Sequence, residues 1–257
     1  MPSLVGLVPA RGGSKRVPRK NIKVLAGHPM LAYTIAAATE SGLFADVIVS
    51  TEDEEIARVA THYGASVPFM RPAELASDKS PDIDWVSYTL QQLRDRGRSF
   101  DCFSILRPSN PLRQASTIRR AWDVFGGQPG ADSLRAVEKC RQHPGKMWVV
   151  EGDRMRPLLS GGPTNPPWHS TPYDALPPVY VQNASLEIAR VGVVFEKHTI
   201  AGDEIVPFFT DMYEGLDINY PEDWRLVEDL VAAGSVTLPR VTQSPFATAA
   251  SRQPVST

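Results

Sequence analysis

Apolar and polar positions follow two alternating rhythms over the first 140 residues of the chain. Leu4-Val5-Gly6-Leu7-Val8 is an unbroken apolar run closed by Pro9, the texture of a strand buried on both faces. Val47-Ile48-Val49, Ser66-Val67-Pro68-Phe69, Cys102 to Leu106 and Ser133 to Val137 repeat it and predict four further strands. Between them the period lengthens. Met30 to Glu40 sets Leu31, Thr34, Ile35 and Ala38 on one helical face, Asp82 to Arg96 reads as a helix stopped by Gly97, and Ser116 to Phe125 as another. Thr51 and Glu54 have the spacing of a capping box for a helix running to about Tyr63, with Gly64 at its C′ position. Alternating strands and helices at this spacing predict an α/β fold, a mostly parallel sheet with helices on both faces.

The rhythm then breaks. Seven prolines fall between Pro157 and Pro178, too many for the interior of any element, so an irregular excursion is expected at about residues 140–200. Regular texture returns at Val179-Tyr180-Val181, at Ser185 to Ala189 and at Asp203 to Phe209. A closing helix is expected over Pro221 to Ala233, with Pro221 at its first position. From Pro239 the chain is rich in Thr, Ser, Ala and Pro, which predicts a disordered tail over 239–257 and a single domain over 1–238.

Composition narrows the function classes. The net charge is −2, which argues against a dedicated nucleic-acid binder. No apolar run reaches the ~20 residues of a membrane span. The first apolar stretch lacks a basic leader, so a cytoplasmic protein with reduced thiols is expected. Two cysteines, Cys102 and Cys140, cannot build a disulfide scaffold or a four-thiolate zinc site. Cys102, Leu31, Trp122 and Phe125 read as core, and His28, His62, His169 and His198 have no ligand spacing. Proline supplies 23 of 257 residues, where ~5% is usual. The prolines bracket the ends of the predicted strands and crowd the excursion, which marks stiff loops at those places.

The segment after the first strand carries the strongest chemistry. Residues 11–23 contain six basic side chains (Arg11, Lys15, Arg16, Arg19, Lys20, Lys23) and no acidic one. Gly12-Gly13 permits close approach of a ligand to the backbone, and a cationic loop at the carboxyl end of a parallel strand is where an α/β sheet would hold a polyphosphate. The other reading is a solvated basic loop. The pattern is neither a Walker loop nor a Gly-x-Gly-x-x-Gly turn.

Pro9-Ala10-Arg11-Gly12-Gly13-Ser14-Lys15-Arg16-Val17-Pro18-Arg19-Lys20-Asn21 resembles the signature of the CMP-sialic acid synthetase family, the cytidylyltransferases that activate sialic and related nonulosonic acids. Arg71-Pro72-Ala73-Glu74-Leu75-Ala76-Ser77-Asp78 resembles that family's loop at the nucleotide, and Pro108-Ser109-Asn110-Pro111-Leu112-Arg113 its Pro-Thr-Ser-Pro-Leu-Arg turn. The resemblance runs from about residue 3 to 233. It implies a Rossmann-like nucleotidyltransferase fold and a homodimer held through the proline-rich excursion, unless that excursion is only a surface loop. It implies CTP and an acidic sugar as substrates, with attack of the anomeric hydroxyl on the α-phosphorus. By match, Ala10 to Lys15, Lys20 and Asn21 lie at the phosphates, with Arg11 and Lys20 catalytic, and the Gly12 and Gly13 amides assist. Arg71, Ala76, Ser77 and Asp78 lie at the base and ribose; judged without the match, Arg71 could instead pair with Glu74 at the surface.

The family's Asp-x-Asp for Mg²⁺ appears as Asp217-Ile218-Asn219, so one charge is lost. Either metal binding weakens, or Asp211 compensates, or the triphosphate holds the ion. Asp217 and Asn219 could alternatively cap the last helix. On the acceptor side His143-Pro144-Gly145-Lys146 keeps the family pattern, but Arg107 replaces the usual Gln before the turn. Asn183-Ala184-Ser185-Leu186-Glu187 keeps Asn183 and puts Glu187 where the family has Tyr, and the arginine expected near Tyr173–Pro177 is absent. Arg107, Ser109, Lys146, Asn183 and Glu187 are the expected acceptor residues. Two alternatives stay open: transfer to another acidic sugar or sugar phosphate, and a non-catalytic nucleotide binder.

Overall fold

A computed structural model describes residues 2–246. The chain runs through β1 (Leu4–Pro9), a short hairpin β2 (Val24–Leu25) and β3 (His28–Pro29), α1 (Met30–Ser41), β4 (Asp46–Ser50), α2 (Glu54–His62) and α3 (Asp82–Asp95). It continues with β5 (Cys102–Ile105), α4 (Ala115–Gly126), β6 (Ser133–Lys139), β7 (Trp148–Glu151) and β8 (Arg154–Pro157). The last elements are β9 (Tyr180–Arg190), α5 (Val191–Glu196), β10 (Ile205–Phe209) and α6 (Pro221–Ala232). The described residues form two compact units, one reaching to Ala136 and resuming at Asn183, the other Val137–Gln182.

The six-stranded sheet has the order β10-β6-β9-β5-β1-β4. β1 lies parallel to β4, with Val5 opposite Asp46 and Pro9 opposite Ser50, and parallel to β5, with Leu4 opposite Cys102. β9 returns antiparallel beside β5, Cys102 facing Arg190. Successive side chains on a strand point to opposite faces, and this splits the apolar runs between two cores. Leu4, Val8, Val47, Val49, Cys102 and Leu106 meet Leu31 and Ile35 of α1, Ile56 and Val59 of α2, and Ile118 and Phe125 of α4. Val5, Leu7, Ile48, Phe103 and Ile105 meet Trp85, Val86, Leu90 and Leu93 of α3 and Val194 of α5. Burial on both faces explains why these strands read as continuous apolar runs rather than alternating ones.

Four sequence expectations change. Ser66–Phe69 is not a strand: a single parallel bridge joins Ser66 to Ile48, and Pro68 has no N–H to extend the ladder. The cap of α2 is Asp53, not Thr51; its carboxylate accepts from Glu55 N at 2.9 Å and Ile56 N at 3.0 Å, while Thr51 Oγ1 takes the Asp53 N–H. Gly64 does stand just beyond that helix at φ 92°, a conformation glycine adopts without steric cost. The two textures at 179–181 and 185–189 are one strand, β9. The start of the expected tail is ordered. Val241 and Phe246 pack on the first core and Phe246 N donates to Tyr63 Oη at 3.0 Å, whereas residues 247–257 lie outside the described residues.

The second unit contains the antiparallel pair β7–β8, Trp148 facing Pro157, and three single-turn 3₁₀ helices, at Pro144–Lys146, Trp168–Ser170 and Tyr173–Ala175. Its proline-rich stretch has few backbone donors, so side chains bind it together. His143 Nε2 lies 2.9 Å from Pro177 O, Tyr173 Oη donates to Cys140 O, and the Trp168 ring lies against Gly162.

Asp53 joins the cap of α2 to Arg19 in the basic loop. That hydrogen bond holds the carboxyl below its usual range, against the opposing effect of burial. A carboxyl depressed by folding contributes stability above its unfolded pKa and loses it as pH falls through the folded one. Asp53→Ala should therefore cost ~1–2 kcal/mol near neutral pH, read as a lower urea midpoint. The gap to wild type should narrow in acid; a pH-independent gap would contradict the charge-based origin.

Candidate functional site

β1, β4 and β5 end at the same edge of the sheet, and the segments that follow them border one cleft of about 280 Å³. The segment after β1 contributes Arg11, Ser14, Lys15, Arg16, Lys20 and Asn21. That between β4 and α3 contributes Arg71, Ser77 and Asp78, and the turn after β5 contributes Arg107 and Ser109. Asn219 closes the cleft from the approach to α6.

Six like charges in one loop repel, and the structure answers with anions and rings from other segments. Gly12 N donates to Glu52 Oε1 at 2.7 Å. Arg19, in a left-handed backbone conformation at φ 55°, pairs with Asp53 and, at 2.6 Å, with Glu55. That conformation costs roughly 1–2 kcal/mol for a side chain other than glycine, and the ion pairs hold it. Gly12 is required by crowding: a Cβ there would sit 2.6 Å from Asp53 Oδ2. On the other side the loop is fastened to the last helix. Arg16 lies over the Tyr220 ring at 4.5 Å, Lys23 over Trp224 at 4.1 Å, and Lys20 Nζ donates to Ile218 O at 2.5 Å. Val17 is buried beneath, with Leu112, Ile218 and Trp224. Desolvation lowers the Lys20 pKa, and the nearby Asp217 charge opposes that shift.

The predicted phosphate residues converge, with exceptions. Arg11 and Lys15 both face the cleft and both bind Asp78, at 2.5 Å each. Asn21 is buried and donates to Arg11 O at 2.9 Å, fixing the loop's entry. Gly13 is exposed, with open space where a Cβ would stand. Ala10 is the buried end of the strand, its N–H spent on Ser50 O. The Gly12 amide is likewise committed to Glu52, which corrects its expected role as a free anion donor.

Arg71 is 6% exposed, so the alternative of a surface pair with Glu74 falls. Its Nε donates to Ser50 Oγ at 3.0 Å and its guanidinium lies 5.2 Å over the Trp85 ring. Burial lowers its pKa to about 10, which leaves it charged at neutral pH. Ala76 ends the 3₁₀ turn Ala73–Ala76 half-buried, and Ser77 Oγ lies 2.7 Å from Ser80 Oγ at the cleft wall.

Neither Asp217 nor Asn219 caps α6: Tyr220 is its N-cap, and Asp223 three residues on completes a capping box, accepting from Asn219 N at 2.8 Å and Tyr220 N at 2.7 Å. Asn219 Nδ2 donates instead to Asp217 Oδ2 at 2.5 Å, while Asp217 Oδ1 is buried without a hydrogen-bond partner. Asp211, exposed, pairs with Arg120 at 3.3 Å. Among the described residues no group of three or more acidic, His or Cys side chains could hold a metal ion.

At the acceptor residues the outcome divides. Arg107 lines the cleft, donating to Asp82 Oδ2 at 2.6 Å and to Glu187 Oε1 at 2.9 Å. Ser109 lines it too, its carbonyl accepting from Ile218 N at 2.8 Å. Glu187 does not face the cleft; it is 4% exposed and clasped by Arg107 and Arg135. Asn183 binds Thr210 Oγ1 at 2.8 Å and Ser185 N at 3.1 Å and is not part of the cleft wall. Lys146 belongs to the second unit, where it donates to His169 O at 3.3 Å.

Sequence reasoning missed Glu52, Asp82, Trp85 and Arg135. For Asp82 a signal existed, an acid on the first turn of a helix beside a cleft-forming loop. Burial works to raise its pKa, and Arg107 together with the Trp85 indole (2.7 Å) overcomes that and holds it low. Arg135, on β6, is 8% exposed and its pKa is lowered to about 10 by burial, then by the charge of Arg107. Neither Glu52 nor Arg135 carries a local sequence signal.

Three comparisons bear on this site. A family model described as cytidylyltransferase matches residues 5–120. The CMP-N,N′-diacetyllegionaminic acid synthase of Legionella pneumophila is 32% identical over 231 residues, 89% of this chain and 96% of that protein. The pseudaminic acid cytidylyltransferase of Campylobacter jejuni is 38% identical over 119 residues, 46% of this chain and 51% of its own. Among solved structures, a CMP:2-keto-3-deoxy-manno-octonic acid synthetase complexed with CTP superposes with a TM-score of 0.67 at 16% identity, over 90% of this chain and 99% of that one, which establishes a shared fold.

Asp78 pairs with Arg11 and Lys15, two of the cations that line the cleft. Asp78→Asn should tighten binding of inorganic triphosphate by roughly 3- to 10-fold at low salt, read by titration calorimetry, an advantage that screening reduces at high salt. Unchanged affinity at low salt would show that Asp78 does not compete with the ligand.

Proposed function

The chain belongs to the cytidylyltransferase family that activates nonulosonic acids, and from that premise we propose that it transfers CMP from CTP to the anomeric hydroxyl of a sialic-acid-like nonulosonic acid, releasing pyrophosphate. The observation that carries this reading is the convergence of Arg11, Lys15 and Lys20 on one cleft with Ser77, Arg107 and Asn219. In the reaction the sugar oxygen forms its bond to the α-phosphorus as the bond from that phosphorus to the departing pyrophosphate breaks. Most of the barrier to such a transfer is lowered by positioning and by neutralising charge.

Arg11 and Lys20 take the catalytic roles, cations held from two sides at the loop that receives the phosphates; Lys15, Ser14 and the open Gly13 amide assist. Asn21 keeps Arg11 in place through its carbonyl. Arg71, Ala76 and Ser77 line the base and ribose, and Asp78 yields its cations to the triphosphate. Ser109 and Arg107, both on the cleft wall, lie on the acceptor's side.

A Mg²⁺ ion fits the residues present. Asp217 offers a buried, unpartnered carboxylate oxygen and Asn219 a neutral amide beside it, a sparse protein donor set of the kind Mg²⁺ uses when substrate phosphates supply the remainder. Once bound, the ion would neutralise charge on the triphosphate. A homodimer is part of the proposal, supported by apolar side chains exposed within the second unit, Val150 at 68% and Met155 at 59%. So is a cytoplasmic setting, where CTP is available; no helix of the described residues is long and apolar enough to cross a membrane.

The test is pyrophosphate release across four nucleoside triphosphates and a panel of nine-carbon and eight-carbon acidic sugars and sugar phosphates, with and without Mg²⁺. Turnover confined to CTP and a nine-carbon acid is expected. An eight-carbon acid or a sugar phosphate as the sole acceptor would favour the second reading, and no release with any pair would favour a binding protein. Arg11→Ala and Lys20→Ala should each lower turnover by ~10²-fold or more. Asp217→Asn should abolish the Mg²⁺-dependent rate, while Asn219→Asp is tolerated or activating; full activity in Asp217→Asn would move the metal elsewhere.

A further inference from the structure

Arg107, Asp82, Glu187 and Arg135 form a chain of alternating charge leading from the cleft into the protein. Asp82 and Arg107 are partly exposed on the cleft wall, and Glu187 and Arg135 are buried behind them. Arg107 donates to both carboxylates, at 2.6 Å to Asp82 and 2.9 Å to Glu187. Arg135 engages the other oxygen of Glu187, and its second terminal nitrogen donates to Ile200 O at 2.9 Å. Two guanidinium groups and two carboxylates balance, but not evenly along the chain. Glu187 divides its charge between two arginines. What remains at the cleft is Arg107 balanced by Asp82, a pair that water reaches and that an incoming anion can enter.

Remove Arg135 and the arithmetic changes. One guanidinium would then face two carboxylates, and the wall of the cleft would repel an acid. The other cleft cations are otherwise engaged, Arg16 over the Tyr220 ring at 4.5 Å. Arg71 is tied to Ser50 and lies over Trp85, and Arg11, Lys15 and Lys20 belong to the loop assigned to the phosphates. Asp82 is fixed by the Trp85 indole at 2.7 Å, so it can release Arg107 without itself leaving the wall.

We propose that Arg107 receives the carboxylate of the acid acceptor and that Arg135, acting through Glu187 without touching substrate, is the positioning residue that keeps Arg107 available for it. The inference rests on the transferase reading above and adds to it the basis of acid selection. It also changes the part assigned to Glu187, from contacting the acceptor to holding the residue that does.

The test compares acceptor KM, CTP KM and kcat for wild type, Arg107→Gln, Arg135→Gln, Glu187→Gln and the double variant Arg135→Gln/Glu187→Gln. The acceptors are N,N′-diacetyllegionaminic acid, N-acetylneuraminic acid and an eight-carbon 3-deoxy-2-keto acid, together with the C1 amide of whichever acid turns over. Arg107→Gln should raise the acid's KM by ~10-fold or more with CTP KM unchanged. The acid-over-amide preference should fall with it. Arg135→Gln should raise the acid's KM similarly although the residue lies behind the wall. The double variant should recover most of that loss, because removing both charges restores the Arg107–Asp82 balance; a merely structural role would make the double variant worse than either single one. Should the double variant fail to fold, the acid-over-amide preference of Arg135→Gln decides alone: loss of preference supports the inference and retention overturns it. Turnover with an unchanged acid KM in Arg107→Gln overturns this inference and leaves the transferase reading intact. No turnover by the wild type with any acid overturns that reading and this inference with it.

Discussion

Mutual repulsion within the basic loop is the constraint on which the site depends. Residues 11–23 hold six cations and no acid, so the loop cannot settle by itself. It is held by carboxylates from elsewhere: Glu52, Asp53 and Glu55 at the start of α2, and Asp78 across the cleft. The first three are fixed points. Glu52 grips a backbone amide, Asp53 also caps a helix, and Glu55 shares Arg19 with it. Asp78 is of another kind, an exposed carboxylate paired with two of the cations that line the cleft, Arg11 and Lys15. The same division recurs at Arg107, where buried Glu187 is the fixed partner and Asp82 the accessible one. The cleft thus pairs its cations with carboxylates of two kinds, buried ones such as Glu187 and exposed ones such as Asp78.

The sheet makes this arrangement possible. β1, β4 and β5 are parallel neighbours, so the segments after them emerge at one edge and bring residues 11, 52, 78 and 107 together across nearly one hundred positions of sequence. The two cores fix those strands from both faces. Three attachments to the approach of α6 (Arg16, Lys20 and Lys23) bring Asp217 and Asn219 to the same loop, and no strand pairing is needed for that.

Much of this was legible in the sequence, for physical reasons that also explain what was not. Apolar period reported β1, β4, β5 and the helices because burial is a property of single positions. It overreached at Ser66–Phe69, where Val67 and Phe69 are apolar but Pro68 cannot join a ladder. The basic loop was legible because its chemistry is contiguous. Glu52 and Asp53 were not: their partners lie 40 and 34 positions away, and the Thr51–Glu54 spacing pointed to another cap. Glu187 was placed in the site by its position in a motif, yet the paired strands β5 and β9 carry it behind Arg107 rather than beside the ligand. Arg135 had no local mark, since a lone arginine on an apolar strand acquires meaning only from the acid that the sheet sets next to it.

We propose that this loop is a triphosphate site whose cations are held by fixed and exchangeable carboxylates. A crystal structure with CTP bound tests it most directly. Arg11 and Lys15 should then lie on phosphate oxygens with Asp78 released from both, while Glu52 stays on the Gly12 amide and Arg19 on Asp53. A nucleotide bound elsewhere, or bound while Asp78 keeps both cations, would contradict it.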